Sequence, residues 1–100
     1  GLINNVDIRQ SADRPYDFAV ASNDQVNAIS VFLVDRATGT VSHRGEIPTN
    51  KLEPYGICSA REDSRDYAAV TYKDGTVEIW AVSASPTELA GQLLKTVKLE

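Results

Sequence analysis

The chain nearly repeats itself after half its length. Tyr16-Asp17-Phe18-Ala19-Val20-Ala21-Ser22 lines up with Arg65-Asp66-Tyr67-Ala68-Ala69-Val70-Thr71, at an offset of 66 − 17 = 49 residues. Ile29-Ser30-Val31-Phe32 lines up with Val77-Glu78-Ile79-Trp80, at 77 − 29 = 48, and Val6-Asp7-Ile8-Arg9 falls on Tyr55-Gly56-Ile57-Cys58 at 49. A fixed period of this length makes each half one supersecondary unit, which cannot bury both of its faces alone. Two such units still leave outer faces to cover. The chain is therefore expected to be a piece of a larger array.

The units are built from strands. Phe18 to Ser22 is a short apolar run that stops at Asn23-Asp24. Ile29 to Val34 is β-branched and aromatic and ends at Asp35-Arg36-Ala37-Thr38-Gly39, a hairpin-type loop. Thr40 to Ile47 fits a third strand closed by Pro48, and residues 49–53 read as a linker. Tyr55 to Ala60 opens the second unit. Tyr67 to Tyr72 and Thr76 to Val82 flank Lys73-Asp74-Gly75, where Gly accepts positive φ without steric cost. Leu93 to Leu99 alternates as a last strand; Glu88-Leu89-Ala90 could start a helical turn, but Gly91 breaks it. Four short strands per unit make one antiparallel blade of a propeller-type array. The predicted fold is all-β, with two four-stranded antiparallel blade-like sheets over residues 1–49 and 50–100.

Charge and cysteine usage exclude several functions. A net charge of −4, with ten scattered basic residues, argues against a nucleic-acid surface. No apolar stretch approaches the roughly 20 residues of a membrane helix. Cys58, the one cysteine, has no internal disulfide partner and is expected to be a small buried strand residue.

The order of several segments resembles the β-propeller phytases. These segments are Asn4-Asn5-Val6-Asp7-Ile8-Arg9, Tyr16-Asp17-Phe18, Ala21-Ser22-Asn23, Gly39-Thr40-Val41 and Glu53-Pro54-Tyr55-Gly56. Tyr67-Ala68, Val70-Thr71 and Lys73-Asp74-Gly75 continue it, so the resemblance covers nearly the whole chain. It implies about two blades of a six-bladed ring in a secreted or periplasmic 3-phytase-like phosphohydrolase. The implied reaction is hydrolysis of phytate, an inositol polyphosphate, by a calcium-activated water. The fragment alone is expected to be inactive and to self-associate through blade faces that lack neighbours. The chemistry suits the substrate, because hard cations and Lys or Arg together neutralise a polyphosphate.

The resemblance also implies roles for particular residues. Tyr55 matches a tyrosine that contacts an active-site calcium, and Lys73 matches a phosphate-binding lysine. Val6 matches a residue whose carbonyl helps to hold a structural calcium. Asp24 stands where the family places a phosphate-binding arginine. An aspartate repels phosphate, so this departure implies a different calcium arrangement, a weakened activity, or a shifted loop from Asp24 to Asn27. Asp24 and Lys73 are repeat equivalents, since 73 − 24 = 49. Asp24, Tyr55 and Lys73 are therefore expected on one face of the array, in loops carried by rigid strands.

Other candidates read as structural. Asp7 and Arg9 alternate with Val6 and Ile8, the pattern of a strand with one wet face. Glu62, Asp63 and Asp66, among Arg61, Ser64 and Arg65, read as a solvated loop rather than a metal cluster. His43 reads as a strand surface residue, and no nucleophilic triad is legible. Asp74-Gly75-Thr76-Val77-Glu78-Ile79-Trp80 also resembles the end of a WD-repeat blade, in which Trp80 would be core and the protein a binding scaffold. A degenerate, non-catalytic phytase-like domain is the other alternative.

Overall fold

A computed structural model of the chain describes residues 3–9, 14–23, 27–49, 54–63, 65–85 and 87–99. Eight strands follow one another: β1 (Ile3–Arg9), β2 (Tyr16–Asn23), β3 (Ala28–Asp35), β4 (Val41–Pro48), β5 (Gly56–Glu62), β6 (Arg65–Thr71), β7 (Thr76–Ala84) and β8 (Leu89–Lys98). They form two antiparallel four-stranded meanders, in the orders β1-β2-β3-β4 and β5-β6-β7-β8. The last strand starts at Leu89, where a helical turn was conceivable; pairing of Leu89 with Ala84 across the hairpin fixes it as extended. The linker positions 50–53 lie outside the described residues.

The repeat is a structural one. β3–β4 carries a bulge between Val31 and Phe32, and β7–β8 carries one between Ile79 and Trp80, at 79 − 31 = 48. The turns that join these strands are capped alike. Asp35 Oδ1 accepts from the amides of Ala37 (2.9 Å) and Thr38 (3.3 Å). Ser85 Oγ accepts from those of Thr87 (3.2 Å) and Glu88 (3.1 Å). Short polar side chains that mimic a backbone acceptor are what such turns select.

The two sheets pack face to face, β1 beside β5 and β4 beside β8. Alternation along each strand sorts the side chains. From the first sheet, Phe18, Val20, Ile29, Val31, Leu33 and Ile47 enter the interface; from the second come Ile57, Ala68, Val70, Tyr72, Trp80 and Val82. Each large aliphatic or aromatic side chain fully buried here contributes about 1.5–3 kcal/mol. β4 and β8 approach closely because glycines face large side chains. A Cβ at Gly91 would lie 2.6 Å from Ile47 Cγ2, and one at Gly45 would lie 2.8 Å from Leu89 Cδ2.

Three sequence expectations are corrected here. In β1 the wet face points inward: Asp7 is half-buried, and its Oδ2 accepts from Ser59 N (2.7 Å) and Ser59 Oγ (3.1 Å) of β5. Val6 and Ile8 are the exposed residues, at 52% and 54%. Cys58 is exposed, because it alternates with the buried Ile57 and Ser59 and so points away from the first sheet. Asp66 is buried rather than part of a solvated loop. It is held by Arg14 Nη1 at 2.9 Å and Arg61 Nη1 at 2.9 Å.

Candidate functional site

Two rims bound the stack, and the chemistry-bearing residues divide between them. One rim holds the starts of β1, β5 and β7 and the ends of β2 and β6. Tyr55 is fixed there by its amide, which donates to Thr71 O at 2.8 Å. Pro54, just before it, is fully buried, which anchors the backbone while the Tyr55 ring stays exposed. Lys73 opens the β6–β7 turn. Gly75 closes that turn at φ +90°, and the Tyr72 amide donates to Thr76 O at 2.9 Å. Asp74 Oδ1 accepts from the Thr76 amide at 2.9 Å.

This local geometry brings the two predicted residues together. Lys73 Nζ lies over the Tyr55 ring, 5.5 Å from its centroid. A cation in that position is attracted by the electron-rich face, by about 0.5–1 kcal/mol at an exposed site. The contact holds the ammonium near the phenol while leaving its three donors for an anion. Among the described residues, no carboxylate is within ion-pairing distance of Lys73.

The remaining predicted residues are placed differently. Asp24 lies outside the described residues. Val6 pairs with Ala21 in the middle of β1, three residues in from the strand start, or about 10 Å along it. It is therefore not at the rim with Tyr55. No local pattern in the sequence marks Lys98. Pairing of Thr76 with Lys98 brings it to the same rim, where it sits 3.6 Å from Asp74 Oδ2. A β-hairpin partner twenty-two residues away leaves no local signal for this.

A calcium ion takes six to eight oxygen ligands. Among the described residues, no three of His, Cys, Asp and Glu come together as a metal cage. The Tyr55 phenol and the Val6 carbonyl supply one oxygen each and lie at different depths. The described residues therefore do not fit a complete calcium site.

The opposite rim carries a different arrangement. Asp17 and Asp66 are repeat equivalents, and arginine holds both. Arg36 Nη1 reaches Asp17 Oδ1 at 2.9 Å, and Arg36 also donates to the Arg14 carbonyl. Arg14 in turn forks onto Asp66, at 2.9 and 3.2 Å. This chain of charges ties the first unit to the second. Beside it opens a cleft of about 450 Å³, lined by Arg14, Arg65, Ser83, Ser85 and Glu88 among others. Its basic groups are balanced by Asp66 and Glu88, so it offers no net charge to an anion. It lies at the far end of the strands from Lys73.

Polar groups also occur within the sheets. Glu78 is fully buried in the interface, and its Oε1 accepts from Tyr72 Oη and from Trp80 Nε1 (3.3 Å). Burial of a carboxylate without such donors would be prohibitive. On the outer face of the first sheet, Glu46 accepts from Ser30 Oγ and lies 2.6 Å from His43 Nε2. His43 is exposed, as read from the sequence, and its ring contacts Phe32. Serine and histidine both bind the glutamate rather than each other, so this is not a nucleophile–base pair.

No model of a known protein family matches the chain, and no curated protein matches it.

Proposed function

We propose that the chain forms two adjacent blades of a six-bladed, calcium-dependent phosphohydrolase that acts on phytate or a related inositol polyphosphate. The reading rests on the ordered segments from Asn4 to Gly75, and above all on one observation. Lys73 and Tyr55, the residues assigned to phosphate and to the metal-binding rim, stand 5.5 Å apart on one rim. They come from loops eighteen residues apart. In this reading Lys73 donates to phosphate oxygens and the Tyr55 ring holds its ammonium in place. Calcium, held mainly by carboxylates of other blades, would neutralise the polyphosphate and activate water. A chain of net charge −4 repels a polyphosphate unless cations intervene, so binding should require calcium.

The test is calorimetric binding of inositol hexakisphosphate, with and without calcium, to the whole protein in which this chain is joined to the blades that carry the calcium ligands. Binding that needs calcium and weakens about tenfold in Lys73→Ala supports the reading, as expected for one charge-assisted hydrogen bond. Binding that Lys73→Ala leaves unchanged, or none with calcium present, overturns it.

A second reading is a propeller-type scaffold for protein binding. Burial of Trp80 in the inter-sheet core, with its Nε1 on Glu78, favours it. A failure of the calorimetric test leaves this reading in place.

A further inference from the structure

Lys73 stands at the first corner of a turn that Tyr72 opens. The backbone closes that turn on Tyr72 twice. The Gly75 amide donates to Tyr72 O at 3.1 Å, and the Tyr72 amide donates to Thr76 O at 2.9 Å. The Tyr72 side chain adds a third tie. Its ring lies in the inter-sheet core, and its Oη donates to Glu78 Oε1. Glu78 is fully buried on β7, and the same oxygen accepts from Trp80 Nε1 at 3.3 Å. One carboxylate oxygen thus pins the residue before Lys73 to the strand that follows it.

The first unit ties the same place with different side chains. Asn23 is the repeat equivalent of Tyr72, since 72 − 23 = 49, and Ser30 that of Glu78, since 78 − 30 = 48. Asn23 Nδ2 donates to Ser30 Oγ at 3.4 Å, and Ser30 Oγ donates to Glu46. Glu46 pairs with Ser30 across β3–β4, as Thr96 pairs with Glu78 across β7–β8. The carboxylate has moved by one strand, yet the bond from the end of the second strand to the third is kept. A buried carboxylate is seldom the most stabilising filling of an apolar interface. Its recurrence at this level of both units points to the turn above it.

We propose that Glu78 is a positioning residue. Acting through Tyr72, it fixes the turn so that the Lys73 ammonium stays over the Tyr55 ring, 5.5 Å from its centroid. Tyr55 is held independently, by its amide on Thr71 O. Loss of the Tyr72 tie therefore frees Lys73 from a ring that stays in place. The consequence for phosphate rests on the proposed function; the placement of Lys73 does not.

NMR of the whole protein with 13C-labelled lysine tests the placement. A lysine methylene held over an aromatic face is shifted upfield by the ring current, and Lys73→Ala assigns that signal by removing it. Tyr72→Phe deletes one oxygen and keeps the packing ring, and the signal should collapse towards the ordinary lysine position. Glu78→Met should do the same, whereas Glu78→Gln, whose amide oxygen can accept both bonds, should keep it. Circular dichroism reports whether each variant is folded; if Glu78→Met is not, Tyr72→Phe decides. Calorimetry with inositol hexakisphosphate and calcium gives the second readout. Tyr72→Phe should weaken binding several-fold in the wild-type background and not further in Lys73→Ala, because residues that act through one another are not additive. Three results overturn the proposal: a wild-type protein with no upfield lysine signal, a folded Tyr72→Phe variant that keeps it, or equal weakening in both backgrounds. A signal lost in Tyr72→Phe, in a protein whose hexakisphosphate affinity ignores Lys73, upholds the positioning and overturns the phosphate reading instead.

Discussion

Gly91 of β8 lies directly against Ile47 of β4, so close that a methyl group at residue 91 would overlap three atoms of the isoleucine, at 2.6, 2.8 and 3.2 Å. The outer edges of the two sheets meet at this point. Replacing a strand glycine by alanine ordinarily gains a fraction of a kcal/mol by restricting the unfolded chain. Here three clashing atoms outweigh that gain. Gly91→Ala is expected to destabilise the fold by about 1–3 kcal/mol, the usual cost of overpacking. Urea unfolding measures it, and a variant as stable as wild type would show that β4 and β8 are not in contact.

Gly75 and Gly39 both adopt positive φ, at +90° and +72°, but only Gly75 is crowded. A Cβ at Gly75 would lie 2.6 Å from Leu99 O, whereas nothing lies within 4 Å at Gly39. Gly39→Ala should cost about 1–2 kcal/mol, the strain of a left-handed alanine. Gly75→Ala should cost more, because backbone at Leu99 must also move and the Leu99 amide donates to Gly75 O at 2.8 Å. The order of the two midpoints in denaturant decides the matter.

Asp66 holds two guanidiniums that are themselves mostly buried, at 15% and 16% exposure. Asp66→Asn keeps the shape and removes the charge. The two arginines then lose the Asp66 charge in the join between the units. We expect a loss of about 3 kcal/mol, at the lower end for a broken buried pair because both arginines touch solvent. Thermal unfolding monitored by circular dichroism reads it directly. A loss below about 0.5 kcal/mol would mean that the cluster is no more than a surface ion pair.

Lys73 is exposed and makes one weak contact, to the Tyr55 ring. Lys73→Ala should therefore change stability by less than about 0.5 kcal/mol. This separates a binding role from a structural one, since any loss of polyphosphate binding in the variant then cannot be ascribed to unfolding.

Cys58 stands exposed on the outer face of the second sheet. Its thiol should react with a disulfide reagent in the folded protein, without denaturant. Complete protection would place Cys58 inside the fold instead.

The repeat, the eight strands and their turns were legible in the sequence because they depend on local chemistry. β-branched runs, Asp-Gly and the loop ending in Gly39 each act within a few residues. The up-and-down order of strands within the second unit also puts Tyr55, before β5, and Lys73, after β6, on a shared rim. The inward face of a strand was not legible. β2 is buried on both faces, from Asp17 to Asn23, so its pattern carries no alternation to read. In β1 the alternation is clear but the polar residue points inward, because Ser59 of a strand fifty residues away offers Asp7 two donors.

The sequence by itself determined that this chain is two copies of one four-stranded unit, because strand formation and turn chemistry are short-range. Only the tertiary structure decided which surface of each unit is buried and where Asp66, Cys58 and Lys98 lie. Those outcomes depend on what another strand, distant in the chain, brings into contact, and that information is carried by no local stretch of residues.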